Sequence, residues 1–152
     1  MAINFFKQTP TTQTTTIDEI SFQKIYTKTK LPIIDVELNN TTHYFVIDTG
    51  ANTNVLNTSI AATLPLEYTS SNEKVLGLNG SKHSSNITEL TFFINTHEYT
   101  DSFSIIDIDA VLERIKYESG ITITGLLGTP FLNKYHAVLH LSYNSLQLKC
   151  TI

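Results

Sequence analysis

One aspartate in the sequence stands where a carboxylate can do chemistry. The stretch FVIDTGANTNVL covers residues 45–56, and within it an apolar run ends at Asp48 and is followed at once by Thr49 and Gly50. A strand that ends at an acid can hold that acid at the mouth of a cleft as a general acid or base, and Gly50 allows a tight turn. The alternative is a turn aspartate that accepts hydrogen bonds from neighbouring N–H groups. Asp48 is therefore the first candidate for a catalytic residue.

Two further motifs follow the acid along the chain. The segment VLGLNG at residues 75–80 predicts the tip of a hairpin. The segment ITGLLGTPFL at residues 123–132 places two apolar residues and a glycine directly before a predicted short helix. Thr129 is the predicted N-cap of that helix and Pro130 its first helical residue. The order of motifs is thus acid loop, hairpin tip, apolar-apolar-Gly and helix.

In these three motifs the sequence resembles the retropepsin family of aspartic proteases, including the bacterial retropepsin-like aspartyl proteases. With the strand pattern included, the resemblance extends over residues 31–148. It implies an all-β dominated acid-protease fold, which is a closed β-barrel with short helices and one inserted helix. It also implies an aspartic endopeptidase that hydrolyses peptide bonds without a metal or an organic cofactor.

The resemblance assigns roles to the residues at matching positions. Asp48 matches the catalytic aspartate, Thr49 the residue whose hydroxyl braces the paired loops, and Gly50 the glycine beneath the catalytic water. Substrate-binding positions fall on the two residues after the glycine, on the hairpin tip, which closes over a bound peptide, and on the apolar-apolar-Gly stretch. They are Ala51, Asn52, Leu76, Gly77, Leu78, Asn79, Gly80 and Leu126. The sequence departs from viral members at Asn52, where those members carry an acid.

One Asp-Thr-Gly motif does not supply all of the chemistry that the resemblance implies. Hydrolysis of an amide by this route needs one carboxylate to take a proton from water and a second carboxylic acid to protonate the substrate carbonyl. Two carboxylates about 3 Å apart cannot both ionise, so a symmetric pair shares one proton, as is general for aspartic proteases. The chain has one such motif and no length for a second lobe. A homodimer that pairs two Asp48 carboxylates is therefore predicted, with a peptide or protein as substrate.

The spacing of apolar residues predicts the elements that position the acid. Alternation over residues 34–38, a turn at Asn39 and Asn40 and the run HYFVI predict a hairpin that leads into Asp48. Helices are predicted at SIAATL and over residues 107–119. Further strands are predicted at EKVL, ITELTFFI and SFSII, and a closing hairpin at AVLHL and SLQLKC, in which Leu139, Leu141, Leu146 and Leu148 face the core.

The first part of the chain differs from the rest in composition. Residues 9–16 consist of Thr, Pro and Gln, which indicates a linker, and the folded part is expected to start near Ile17. In terms of the family, residues 1–30 are an N-terminal extension and residues 31–152 are the retropepsin-like domain. The amino terminus lacks a long apolar segment followed by a small-residue cleavage site. A cytoplasmic location is therefore expected for the chain as given, and export if a signal peptide has been removed.

Composition and charge exclude several classes of function. The chain has 152 residues, of which 41% are hydrophobic and 16% charged, as is typical of one globular domain. The net charge is −4 and the basic residues do not cluster, so neither nucleic acid nor a membrane is an expected partner. Cys150 is the single cysteine, which excludes an intramolecular disulfide and a zinc site made of several thiolates. It is interpreted as a small apolar strand residue.

Other acids and histidines have structural explanations. Asp107 and Asp109 lie at the amino terminus of a predicted helix, where Asp accepts hydrogen bonds from the first N–H groups. His136 and His140 are four residues apart, but the segment between them has the pattern of a strand, which separates their side chains. They are interpreted as structural or surface residues, so no metal site is predicted.

Two other functions stay open on the sequence alone. The first is a non-catalytic peptide-binding or dimerisation module, which would keep its activity when Asp48 is changed to Asn. The second is a monomeric hydrolase that uses Asp48 with a metal or another acid. The mass in solution and the sensitivity to chelators would distinguish this second case from a homodimer.

Overall fold

The computed structural model describes residues 15–76 and 82–151, and strands dominate both ranges. The strands are β1 (Thr15–Ser21), β2 (Ile33–Leu38), β3 (Thr41–Ile47), β4 (Val55–Asn57), β5 (Thr69–Leu76), β6 (Lys82–Ile94), β7 (His97–Ile106), β8 (Gly125–Leu127), β9 (Val138–His140) and β10 (Ser145–Thr151). The helices are α1 (Gln23–Thr29), α2 (Thr58–Ala61), α3 (Asp109–Ser119) and α4 (Thr129–Lys134), with a 3-10 helix at Leu141–Tyr143. Within these ranges, no helix is long and apolar enough to cross a membrane.

Six strands close into a barrel. They are hydrogen-bonded in the order β2, β3, β8, β4, β7 and β6, and the pair of Glu37 with Phe93 joins β6 back to β2. The β3–β8 and β4–β7 pairs are parallel, whereas the other neighbours are antiparallel. β5 continues the sheet beyond β6, and α3 is inserted between β7 and β8. The predicted closed β-barrel with short helices is confirmed.

Turn chemistry fixes the hairpin that leads to Asp48. Asn39 and Asn40 have φ angles of 53° and 60°, in the left-handed region that asparagine tolerates and that a two-residue hairpin turn of this type requires. Leu38 pairs directly with Thr41 across this turn. The predicted hairpin is therefore present.

Alternation along the strands divides the apolar side chains between two clusters. In the larger cluster, which fills the barrel, Phe45 lies 6.0 Å from Phe92 and 5.8 Å from Phe103 between ring centroids. In the smaller cluster, Leu126 of β8 packs with Leu112 of α3 on the other face of the sheet. Burying a side chain of this size contributes about 1.5–3 kcal/mol, so both faces of β8 help to hold it in place.

Residues 15–29 belong to the folded part of the chain, although the sequence pattern assigns residues 1–30 to an extension. β1 pairs with β10 over its whole length, from Thr15 opposite Thr151 to Ser21 opposite Ser145. A run of threonines is compatible with a strand because β-branched residues fit a pleated sheet. Composition alone therefore does not separate a linker from an edge strand here.

The closing hairpin differs from its prediction at one position. Leu146 and Leu148 are buried and Leu139 is partly buried, as predicted. Leu141 is 64% exposed, because it lies in the 3-10 helix that connects β9 and β10. A helical turn interrupts the alternation of a strand, so Leu141 does not share the core-facing side.

Candidate active site

Asp48 follows directly after β3 and begins the acid loop, which is residues 48–54 between β3 and β4. Neighbouring backbone groups hold Asp48 in place. Its N–H donates to the carbonyl oxygen of Leu127 in β8, with an N···O distance of 2.9 Å. The N–H of Gly50 donates to Asp48 Oδ1 at 3.0 Å, and the N–H of Ala51 donates to the Asp48 carbonyl oxygen at 3.2 Å. Asp48 is half-buried, and among the described residues none donates a hydrogen bond to its Oδ2. The carboxylate is thus oriented through one oxygen, while the other oxygen is not used within the part of the chain that the structure describes.

The backbone passes closest to the acid loop at Gly128. A Cβ atom on Gly128 would lie 2.3 Å from the carbonyl oxygen of Thr53 and 2.9 Å from that of Ala51. Those atoms belong to the backbone and cannot move aside, so any larger residue would displace the loop. This close approach is the physical reason for a glycine after the two apolar residues.

The helix α4 begins one residue earlier than predicted and is joined to the same loop. Gly128 is its N-cap and Thr129 its first helical residue. The Thr129 N–H and hydroxyl both donate to the carbonyl oxygen of Ala51, at 2.9 Å and 3.1 Å. The predicted N-cap role of Thr129 was wrong, because its hydroxyl binds the acid loop instead of an N–H group of its own helix.

Asn54 connects the acid loop to two other elements, and the sequence analysis did not identify it. The side chain is 1% exposed. Its Oδ1 accepts from the N–H groups of Gly128, at 2.9 Å, and Phe131, at 3.4 Å. Its Nδ2 donates to Asp101 Oδ2 at 2.9 Å and to the Ser102 carbonyl oxygen at 3.0 Å. One amide therefore ties the loop to α4 and β7.

Asn57 forms a second anchor at the end of β4. Its Oδ1 accepts from the N–H of Ile108 at 3.0 Å, and its Nδ2 donates to Asp109 Oδ1 at 2.6 Å. The side chain is 3% exposed. These bonds fix the start of α3 against the strand that follows the acid loop. Asn54 and Asn57 lie in a segment whose other residues have the pattern of a strand. Because Asn is depleted in strands, their presence was the sequence signal for a special role.

The structure places five of the predicted site residues together, in the loop between β3 and β4. They are Asp48, Thr49, Gly50, Ala51 and Asn52, of which Thr49, Gly50 and Asn52 are exposed. Leu126 lies beneath this loop in β8, is 8% exposed and packs in the smaller apolar cluster. Leu76 ends β5 opposite Lys82, so β5 and β6 run towards the predicted tip. Gly77, Leu78, Asn79 and Gly80 lie outside the described residues.

The remaining candidates behave as structural residues. Asp107 Oδ1 accepts from the N–H of Asp109 at 3.0 Å at the start of α3, as predicted, whereas Asp109 Oδ1 accepts from the side chain of Asn57 and not from a helix N–H. His136 is exposed in the turn after α4, and His140 ends β9. Their positions on different elements are consistent with the predicted structural or surface role.

Comparison with known proteins places this architecture in a recognised group. A family model described as "Aspartyl protease" matches residues 34–131, which include the acid loop, β8 and the start of α4. A comparison with curated proteins finds no match.

Solved structures with the same fold come from viral, bacterial and protozoan sources. A retropepsin-like aspartic protease from Rickettsia conorii is 20% identical, with 90% of this chain and 93% of that chain covered and a TM-score of 0.54. The EIAV protease complexed with the inhibitor HBY-793 is 21% identical, with coverages of 68% and 86% and a TM-score of 0.52. The retroviral protease-like domain of Ddi1 from Leishmania major is 11% identical, with coverages of 78% and 87% and a TM-score of 0.53. These similarities establish the fold alone and confirm the predicted retropepsin-like barrel.

Proposed function

The chain belongs to the aspartyl protease family, and on that premise we propose that it is an endopeptidase whose active form is a homodimer. Two Asp48 carboxylates, one from each chain, would act on a single water molecule. The observation that carries the proposal is the position of Asp48. It directly follows a barrel strand, is anchored through Leu127 and Gly50, and has one carboxylate oxygen that is not used within the described chain.

The proposed reaction divides acid and base roles between the two carboxylates. The ionised Asp48 takes a proton from water, and the resulting hydroxide attacks the peptide carbonyl carbon. The protonated Asp48 gives its proton to the carbonyl oxygen, which yields a neutral tetrahedral intermediate. On collapse of this intermediate the C–N bond breaks, the protonated carboxyl gives its proton to the nitrogen, and the other carboxylate takes a proton from a hydroxyl of the intermediate, so the pair again shares one proton.

The other residues of the acid loop would position the partner chain and the substrate. Thr49 is exposed, which suits a hydroxyl that braces the paired loops of the two chains. Gly50 would lie beneath the water, while Ala51 and Asn52 would contact the backbone of an extended peptide. The tip between β5 and β6, which includes Leu76 to Gly80, would close over that peptide, and the peptide would add to the sheet as a strand. Leu126 would form the floor of a side-chain pocket.

The test is cleavage of a mixed peptide library by the wild-type chain and by Asp48→Asn. Asparagine keeps the oxygen that accepts from the N–H of Gly50, so the variant should fold, whereas it cannot transfer the proton. The expected result is a fall in rate of at least about 1,000-fold. Asp35→Asn, an exposed acid on β2, is the matched control and should cleave normally.

A dilution series tests the homodimer. If two chains form one site, the cleavage rate falls with the square of protein concentration below the dimer dissociation constant. A strictly linear dependence, in a preparation whose mass is that of one chain, would exclude the shared site. A folded dimer that binds library peptides without cleaving them would favour a peptide-binding module.

A further inference from the structure

A second group of chemically reactive side chains lies where β1, β7 and β10 meet, outside the acid loop. Asp18 of β1 is 6% exposed and Cys150 of β10 is 5% exposed, while the side chain of His97, at the start of β7, is 25% exposed. One ligand atom from each of the three side chains lies within 4.8 Å of the other two. Aspartyl protease chemistry gives this group no role.

Hydrogen bonds account for part of this cluster, including one from the Cys150 thiol to the Tyr99 hydroxyl oxygen at 2.7 Å, and leave part of it unused. Asp18 Oδ1 accepts from Asn95 Nδ2 at 2.9 Å, and Asp18 Oδ2 accepts from the Tyr99 hydroxyl at 2.9 Å. Each carboxylate oxygen therefore keeps a second lone pair. His97 Nδ1 lies 3.3 Å from Asp18 Oδ2, yet it is buried and forms no hydrogen bond within the described residues. The Nδ1 and Oδ2 atoms are therefore close together, but their geometry is not that of a hydrogen bond.

Electrostatics and ligand type both favour a cation at this place. A carboxylate that is removed from water needs compensating charge or a full set of hydrogen bonds. A carboxylate oxygen, an imidazole nitrogen and a thiolate sulfur are the three ligand types that zinc takes in proteins. The bonds from Asn95 and Tyr99 to Asp18 are of the kind that orient a ligating carboxylate from outside the ligand set.

We propose that Asp18, His97 and Cys150 bind one Zn²⁺ ion, with water in the fourth position. Binding replaces the proton on the Cys150 thiol, so the S–H bond is exchanged for an S–Zn bond and one proton is released. The ion stabilises the fold and takes no part in peptide hydrolysis. It links β1 and β10 to the β6–β7 hairpin, through residues that are far apart in the sequence. A surface cavity of about 630 Å³ is lined by Cys150 but not by Asp18 or His97, so it reaches one of the three ligand residues.

The experiment uses the full, untagged chain after treatment with a chelator and removal of the chelator. Co²⁺ is added as a spectroscopic probe, because a thiolate ligand gives a charge-transfer absorption that oxygen and nitrogen ligands do not. Zn²⁺ is then added, and metal content and the midpoint of thermal unfolding are measured. We expect one ion per chain and a rise in the midpoint of roughly 5–10 °C when Zn²⁺ is at about 100 times its dissociation constant.

Two variants test the ligands separately. Cys150→Ser should abolish the charge-transfer band and weaken Zn²⁺ binding by at least about 100-fold. Loss of a residue that only hydrogen-bonds to a metal ligand already lowers metal affinity by about 10- to 100-fold. His97→Gln makes the same test at a partly exposed position, where the change should not disturb folding. His140→Gln, a histidine with no place in the cluster, is the matched control and should bind normally.

Either of two outcomes would overturn the proposal. The first is a folded wild-type chain that shows neither the cobalt–thiolate band nor a Zn²⁺-dependent rise in the unfolding midpoint, which would leave an ion pair of His97 with Asp18 as the explanation. The second is metal binding that persists unchanged in both Cys150→Ser and His97→Gln, which would indicate an adventitious surface site.

Discussion

The segment of residues 48–57, which comprises the acid loop and β4, has two halves that differ in burial and in hydrogen bonding. Residues 48–52 include three exposed positions and the half-buried Asp48, whose carboxylate accepts one hydrogen bond from the residues described, donated by the backbone of Gly50. In residues 53–57, by contrast, Asn54 and Asn57 are almost completely buried, and each forms side-chain hydrogen bonds to other elements. The exposed half carries the groups that would react, whereas the buried half determines where those groups lie.

This difference predicts that substitutions in the two halves will be seen in different measurements. A change in the exposed half should alter cleavage or dimer formation and leave the free energy of unfolding of the chain nearly constant. A change in the buried half leaves polar groups without partners or forces backbone atoms apart, so it should lower the free energy of unfolding. The Asp48→Asn experiment above is the largest expected case of the first kind.

Asn54→Ala should have the largest effect on stability. It removes an amide that contacts four groups and leaves the Gly128 N–H and the Ser102 carbonyl oxygen without their partners. A buried polar group without a partner costs about 1–3 kcal/mol, so a loss of about 4 kcal/mol is expected in urea-induced unfolding at fixed protein concentration. Asn52→Ala, two residues earlier and exposed, should change stability by less than about 0.5 kcal/mol. Equal losses in the two variants would contradict the division of the loop.

Gly128→Ala should be the next most destabilising change. The added Cβ atom would meet the carbonyl oxygen of Thr53 at 2.3 Å, so the loop must move, at a cost of about 3 kcal/mol. Gly120→Ala is an informative control because Gly120 has open space around it and a φ angle of 76°. Its cost should be about 1–2 kcal/mol and should come from backbone conformation alone. Gly128→Ala should also reduce cleavage, whereas Gly120→Ala should not.

Much of this architecture was predictable from local patterns. The Asn39–Asn40 turn, the helix α3 and the order of the three motifs each depend on residues close together in the sequence. The roles of Asn54 and Gly128 depend on a meeting between segments some 70 residues apart, and the sequence gives no register for that meeting. Pairing of β1 with β10 spans nearly the whole chain and was missed for the same reason. Motifs whose residues are close together in the sequence were therefore easier to predict than residues that join distant segments.

Thr129→Val and Thr49→Val apply the same chemical change to a helix residue that holds the exposed half and to a residue of that half. The Thr129 hydroxyl donates to the carbonyl oxygen of Ala51 at 3.1 Å, so its loss should cost about 1 kcal/mol of unfolding free energy. Thr49 is exposed, and its replacement should leave the unfolding of the separate chain unchanged. If its hydroxyl braces the paired loops, the dimer should dissociate at higher protein concentration, which sedimentation would measure. An unchanged dimer dissociation constant would remove that role from Thr49.

His43 should give the smallest effect, visible as a dependence of stability on pH. It lies on β3, where its Nδ1 is 2.8 Å from the Thr124 hydroxyl oxygen, and burial lowers its pKa from the usual 6.5. The unfolded chain therefore binds a proton more readily than the folded chain. The contribution of neutral His43 is complete above the unfolded pKa and is lost as pH falls through the folded pKa.

Comparison of His43→Gln with wild type isolates this contribution. Unfolding free energies measured between pH 5 and pH 8 should show a shallower decrease on acidification in the variant, by less than about 1 kcal/mol. His136→Gln removes an exposed histidine and should keep the wild-type slope. Two outcomes would mean that the strand leading to Asp48 does not hold a neutral imidazole. One is a slope in His136→Gln that is shallower than in wild type, and the other is a wild-type slope in His43→Gln. The rigid, buried surroundings of Asp48 would then not include β3. Only the acid loop and the elements bound to it would hold the acid in place.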